Sequence, residues 1–153
     1  MEKLKILRME KGYTQTQLAA FTDVGASVVA RWEMGETFPS VPQLIKLCYV
    51  LGCMPSQLFS DCGEGCVPVF TRKNSFEMHC SAEIHADFGI ELEENLDEKY
   101  LAGDICFFSM DLKVCEKKIV FIDDGVNGYV TFGENLPQNH KVIAVCTAVQ
   151  QVI

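Results

Sequence analysis

TQTQLAAFTDVGASVVARWEMG, residues 14–35, decides how the first part of this chain folds. Thr14 with Gln17 three residues on is a capping box, so a helix starts there. Leu18 and Ala19 give that helix an apolar stripe and a small residue where another helix must come close. Asp23 falls at the turn, where a left-handed backbone is often needed; Gly adopts it freely and Asp tolerates it. A second helix then carries Val28, Val29 and Trp32 toward a core. It stops at Gly35, a glycine suited to the position just past a helix end. Helix, tight turn, helix is a DNA-binding arrangement when the second helix is free to enter the major groove.

Upstream, residues 2–11 read as a first helix. Leu4 and Leu7 share a face at i, i+3 spacing and Ile6 widens it. Lys3, Lys5, Arg8 and Lys11 leave the rest of its surface polar, and Gly12 ends it. Downstream, Thr37-Phe38-Pro39-Ser40 marks a loop, with Ser40 and Gln43 as a second capping box. Leu44, Ile45, Leu47, Cys48 and Leu51 give the next helix, from about Val41 to Leu51, a broad buried face. Gly52 ends it, and Pro55 opens a short helix to Phe59. Five helices within residues 1–60 make an all-α unit with one core.

Residues 61–75 change character. Their glycines, proline and mixed polarity read as a linker. From residue 76 to 153 the pattern is β. Phe88 to Leu92 alternates with period two, and Ile105 to Phe108 and Ile119 to Ile122 are short apolar runs. Asp124-Gly125 and Asn127-Gly128 are turn signals before Tyr129 to Phe132. Val142 to Val149 closes the chain as a long apolar strand. The expected fold class is α+β: a five-helix unit followed by a small, largely antiparallel β unit.

Composition agrees with a globular chain: 48% hydrophobic and 22% charged residues. No apolar run approaches the roughly 18 residues a membrane span needs, and the N-terminus does not read as a signal peptide. Eight cysteines without an export signal point to a reducing cytoplasm and free thiols. The net charge of −8 is unevenly placed. Residues 1–60 hold six Lys/Arg and five Asp/Glu, and residues 61–153 hold seven and sixteen. An acidic second half is a poor partner for nucleic acid. The first unit must therefore carry any DNA contact, and its weak positive charge calls for more than one copy.

Leu7-Arg8, Thr14-Gln15, Leu18-Ala19, Trp32-Glu33, Gly35, Pro39 and Leu44 to Leu51 together resemble the helix-turn-helix domain of phage-repressor-type (XRE-like) transcriptional regulators. That resemblance implies double-stranded DNA as partner and an ion pair between Arg8 and Glu33. Ala86 to Leu96, followed by Tyr100-Leu101-Ala102-Gly103-Asp104, resembles the C-terminal domain of LexA/CI-type repressors. That family cleaves itself with a Ser nucleophile and a Lys base. Here Asn95, eight residues before Gly103, stands at the Ser position, and Phe132, 37 residues further on, stands at the Lys position. An amide cannot replace the hydroxyl, and a phenyl ring cannot accept a proton. The linker also lacks the family's Ala-Gly cleavage pair. The second unit is therefore expected to be a non-cleaving oligomerisation module with no catalytic residues.

On the second helix of the motif, the candidate DNA contacts are Gly25, Ala26, Ser27, Ala30 and Arg31. Arg31 suits a guanine or a phosphate, and the alanines offer only methyl contacts. So few readers leave part of the specificity to DNA shape. Gln15, in the first turn of its helix, is placed to meet a phosphate. Trp32 reads as core. Cys62, Cys66, His79 and Cys80 invite a zinc reading, but no second closely spaced pair completes it. Cys48, Cys53, Cys106, Cys115 and Cys146 each lie beside an apolar residue like ordinary core positions. His85 and His140 are isolated. No metal and no cofactor is expected.

The expected function is a cytoplasmic, sequence-specific repressor that binds a palindromic operator as a homodimer or higher homo-oligomer. Without self-cleavage, release falls to an antirepressor protein or an external protease. Two other readings stand beside it. One is a self-cleaving peptidase with unusual residues. The other is an antitoxin or adaptor whose β unit binds a protein or ligand.

Overall fold

The computed structural model describes residues 1–59, 66–71, 76–80, 85–111, 119–123, 128–135 and 141–151. The chain divides into two compact units, Met1–Asp61 and Cys62–Ile153.

The first unit holds five helices: α1 (Glu2–Glu10), α2 (Gln15–Phe21), α3 (Ala26–Met34), α4 (Val41–Leu51) and α5 (Pro55–Leu58). Both capping boxes form. Gln17 N–H donates to the Thr14 hydroxyl while Thr14 N–H donates to the Gln17 side chain. Ser40 N–H likewise donates to the Gln43 side chain at 2.9 Å. The first four helices end alike. A left-handed residue just past the helix turns the chain back, and the next N–H bonds a carbonyl five residues earlier. These bonds are Tyr13 to Arg8, Val24 to Ala19, Glu36 to Arg31 and Cys53 to Cys48, all at 3.0 Å. Glycine holds the left-handed position at 12, 35 and 52, and Asp23 holds it at φ 56°. This helix end satisfies carbonyls that otherwise lack donors. Leu4, Leu18, Val29, Trp32, Leu44, Leu47, Leu51 and Leu58 are all buried and form the core. Two readings of α1 change. Ile6 is exposed, and Arg8, counted among the surface cations, is buried.

The second unit is a seven-stranded sheet: β1 (Cys66–Phe70), β2 (Phe76–Cys80), β3 (Phe88–Glu91), β4 (Ile105–Ser109), β5 (Ile119–Asp123), β6 (Gly128–Phe132) and β7 (Lys141–Gln150). Their order across the sheet is β2-β1-β3-β4-β7-β5-β6. Every pairing is antiparallel except β1 with β3. The expected linker over 61–75 is corrected, because β1 lies within it. Pro68 suggested a break, but the pairing of β1 with β3 uses Val69 and Phe70, beyond the proline. The turn signals Asp124-Gly125 and Asn127 fall outside the described residues.

β4 buries successive residues, Ile105 to Phe108, on both of its faces, which explains its unbroken apolar run. On one face Val69, Ile105 and Phe107 cluster. Gly89 lies beside both Val69 and Phe107 in register, and a Cβ there would stand 2.8 Å from Val69 and 3.2 Å from Phe107. On the other face Phe88, Phe108 and Phe121 form a triangle with centroids 5.5 to 6.0 Å apart. Phe108 and Phe121 belong to strands on either side of β7, opposite Cys146 and Ala144. Those two small side chains leave the space in which the rings meet.

Candidate nucleic-acid interface

The site is built on the turn between α2 and α3. Thr22 is buried, and its hydroxyl donates to the Leu18 carbonyl at 2.9 Å, which fixes the end of α2. Asp23 then takes its left-handed conformation, and Gly25 opens α3 with no side chain of its own to cap it. The start of α3 is thus left clear for an approaching phosphate oxygen.

Helical spacing sorts α3 into two faces. Val29 and Trp32 are buried on one. Ser27 and Arg31, four residues apart, lie exposed on the other, with Ala30 half-buried beside them. Gly25 is exposed and Ala26 half-buried at the N-terminal end. Five of the six expected contacts therefore gather along the start and outward face of one helix. Met34, three residues after Arg31 and four after Ala30, is also exposed, at the far end of α3.

Gln15 is placed differently. Its side-chain nitrogen donates to the Glu33 carboxylate at 2.8 Å and so ties the start of α2 to α3. Glu33 also takes two hydrogen bonds from Arg8, at 2.6 and 3.2 Å. Arg8 further donates to the Tyr13 carbonyl at 2.7 Å. Burial pushes the Glu33 carboxyl up, but hydrogen bonds from Arg8 and Gln15, with the charges of Arg8 and Lys5, outweigh it and hold the group below its ordinary value. Carboxylate, guanidinium and amide together fix how α3 is held against α1 and α2. Beyond the resemblance that paired Arg8 with Glu33, no sequence signal marked Gln15 as the third member. The N-terminal ammonium of Met1 donates to the carbonyls of Trp32 and Glu33, near the end of α3. Trp32 is core, as expected. Asp23 forms an exposed ion pair with Lys46 at 3.0 Å.

In the second unit, the two positions compared with a peptidase pair both serve the loop before β4. The Asn95 side-chain oxygen accepts from Ala102 N–H at 2.7 Å, and the Phe132 ring packs 6.2 Å from that of Tyr100. Of the zinc set, Cys62 lies outside the described residues. Cys66 is disulfide-bonded, which corrects the expectation of free thiols at that position and removes a thiolate ligand. Among the described residues, no three His, Cys, Asp or Glu side chains gather as a metal-binding group. No helix among them is long and apolar enough to cross a membrane.

The family model described as Helix-turn-helix matches residues 4–58. The first unit is a helix-turn-helix domain. It is of the XRE type, and it marks the chain as a DNA-binding transcription regulator. No curated protein matches the sequence. Among solved structures, one described as the crystal structure of FeII HppE is 13% identical, with a TM-score of 0.37 over 97% of this chain and 86% of that one. That TM-score is too low to support any statement about chemistry.

Proposed function

We propose that the chain is a repressor that docks α3 of its helix-turn-helix domain in the major groove of a palindromic operator, as a homodimer or higher homo-oligomer. The observation that carries this reading is the outward face of α3. Ser27 and Arg31 stand exposed over an opposite face fixed by Val29 and Trp32. A rigid helix with one long cation on its free face is what bidentate contact to a guanine or phosphate requires. Residues 1–60 carry a formal charge of only +1, so pairing two copies multiplies a weak phosphate attraction. In this reading the acidic sheet unit, LexA/CI-like by resemblance, does the pairing. It does not cleave the chain, because Asn95 and Phe132 offer neither a nucleophile nor a base. A phage-type setting, with release by an antirepressor protein, follows from the same resemblance.

The test is Arg31→Ala. Affinity for a selected operator falls by ten-fold or more while Trp32 fluorescence shows the domain still folded. Unchanged affinity would overturn the assignment of α3.

A further inference from the structure

The turn that ends α4 brings together two thiols and an ammonium group. Gly52 takes φ 64°, and the Cys53 N–H bonds the Cys48 carbonyl at 3.0 Å. These are the two positions whose side chains meet across a helix end of this kind. Here both are cysteines, and their thiols share a hydrogen bond. Lys11, just past the end of α1, places its ammonium 3.4 Å from where a Cβ on Gly52 would sit. Cys48 is buried and Cys53 half-buried, so a small solute meets Cys53 first.

The electrostatics favour the same residue. The hydrogen bond from Cys48 holds the Cys53 thiol below its ordinary value; burial opposes this and the charge of Lys11 adds to it. A thiolate, not a thiol, is the nucleophile. The other close pair, Cys106 with Cys146 between β4 and β7, has the opposite character. Its hydrogen bond, burial and the charges of Cys146 and Asp104 push the Cys106 thiol far up, and both residues are buried.

We propose that Cys53 and Cys48 form a peroxide-reactive pair, with Cys53 attacking and Cys48 resolving. The Cys53 thiolate attacks one oxygen of hydrogen peroxide and the O–O bond breaks. Cys53 becomes a sulfenic acid, and the departing hydroxide takes up a proton to leave as water. The Cys48 sulfur then attacks the Cys53 sulfur. The S–O bond breaks as the S–S bond forms, and the released hydroxide leaves with the Cys48 proton as a second water. Two thiols are oxidised and one peroxide is reduced. The pair stands whether or not α3 reads an operator.

The test uses the full-length chain, with the Cys66 disulfide left intact and the other thiols reduced, and hydrogen peroxide, with each linkage assigned on peptides cut at Lys, Arg and Asp. The Cys48–Cys53 disulfide forms before the remaining cysteines oxidise. In Cys48→Ser the sulfenic acid persists on Cys53 and is trapped by dimedone, and Lys11→Met slows the first step several-fold. The proposal is overturned if Cys48 and Cys53 stay reduced while other cysteines react. It is equally overturned if Cys53 pairs with a cysteine other than Cys48, or if dimedone labels nothing at Cys53 in Cys48→Ser.

Discussion

The Arg8 guanidinium grips the Glu33 carboxylate through two nitrogens, at 2.6 and 3.2 Å, and so ties the first helix to the last turn of the third. Both side chains are nearly closed to water, at 10% and 4% exposure. Removing one partner strands the other charge, so Arg8→Met should cost about 3 kcal/mol. Trp32 is the chain's single tryptophan, and it is buried in the same unit. Its fluorescence during urea unfolding reports that unit alone. A loss under about 0.5 kcal/mol, the range of ordinary surface changes, would show that the pair does not hold α3 in place.

The same pair sets a pH dependence. The folded-state value of Glu33 is lowered relative to the unfolded chain. Its contribution to stability is therefore complete above the unfolded carboxylate value, near pH ~4.3, and is lost as pH falls through the lower folded value. Glu33→Gln should be less stable than the parent at neutral pH and should lose less on acidification. Parallel stability curves for parent and variant below about pH 5 would contradict this.

Asp23→Gly should stabilise the first unit. Asp23 holds a left-handed position where a non-glycine residue costs roughly 1 kcal/mol. Its ion pair with Lys46 is exposed and contributes only ~0.2–1 kcal/mol. The net gain is modest and reads as a raised urea midpoint by Trp32 fluorescence. A lowered midpoint would mean that the Lys46 pair outweighs the backbone strain.

Gly89→Ala should destabilise the sheet unit by about 1–3 kcal/mol, because the new methyl group enters the space where Val69 meets Phe107. Thermal unfolding followed in the β-sheet circular dichroism band checks it, and an unchanged transition would show that the two side chains can part at no cost.

Much of this architecture was legible in the sequence, for physical reasons that differ by element. The capping boxes at Thr14 and Ser40 and the glycines at 12, 35 and 52 fix local geometry, so α1 to α4 could be placed from residue types alone. Asp23 worked for the same reason. β3, β4, β5 and β7 showed as alternation or apolar runs, and β6 by the turn signals before it. β2 carries a true alternation, Phe76, Met78 and Cys80 against Glu77 and His79, but it is short and flanked by polar residues. β1 was hidden by Pro68 and the glycines before it. The outward face of α3 followed from helical period. The hydrogen bond from Gln15 to Glu33 spans 18 residues and follows from tertiary packing, which no local pattern encodes.

The central claim is that α3, presented in pairs, reads DNA. The most direct measurement is selection of bound fragments from genomic DNA by the purified full-length chain near physiological salt, with Arg31→Ala alongside. A few sites sharing an inverted repeat are expected, with half-sites about one helical turn apart, all lost with the variant. Recovery of nothing above background, or of the same sites by the variant, would contradict it.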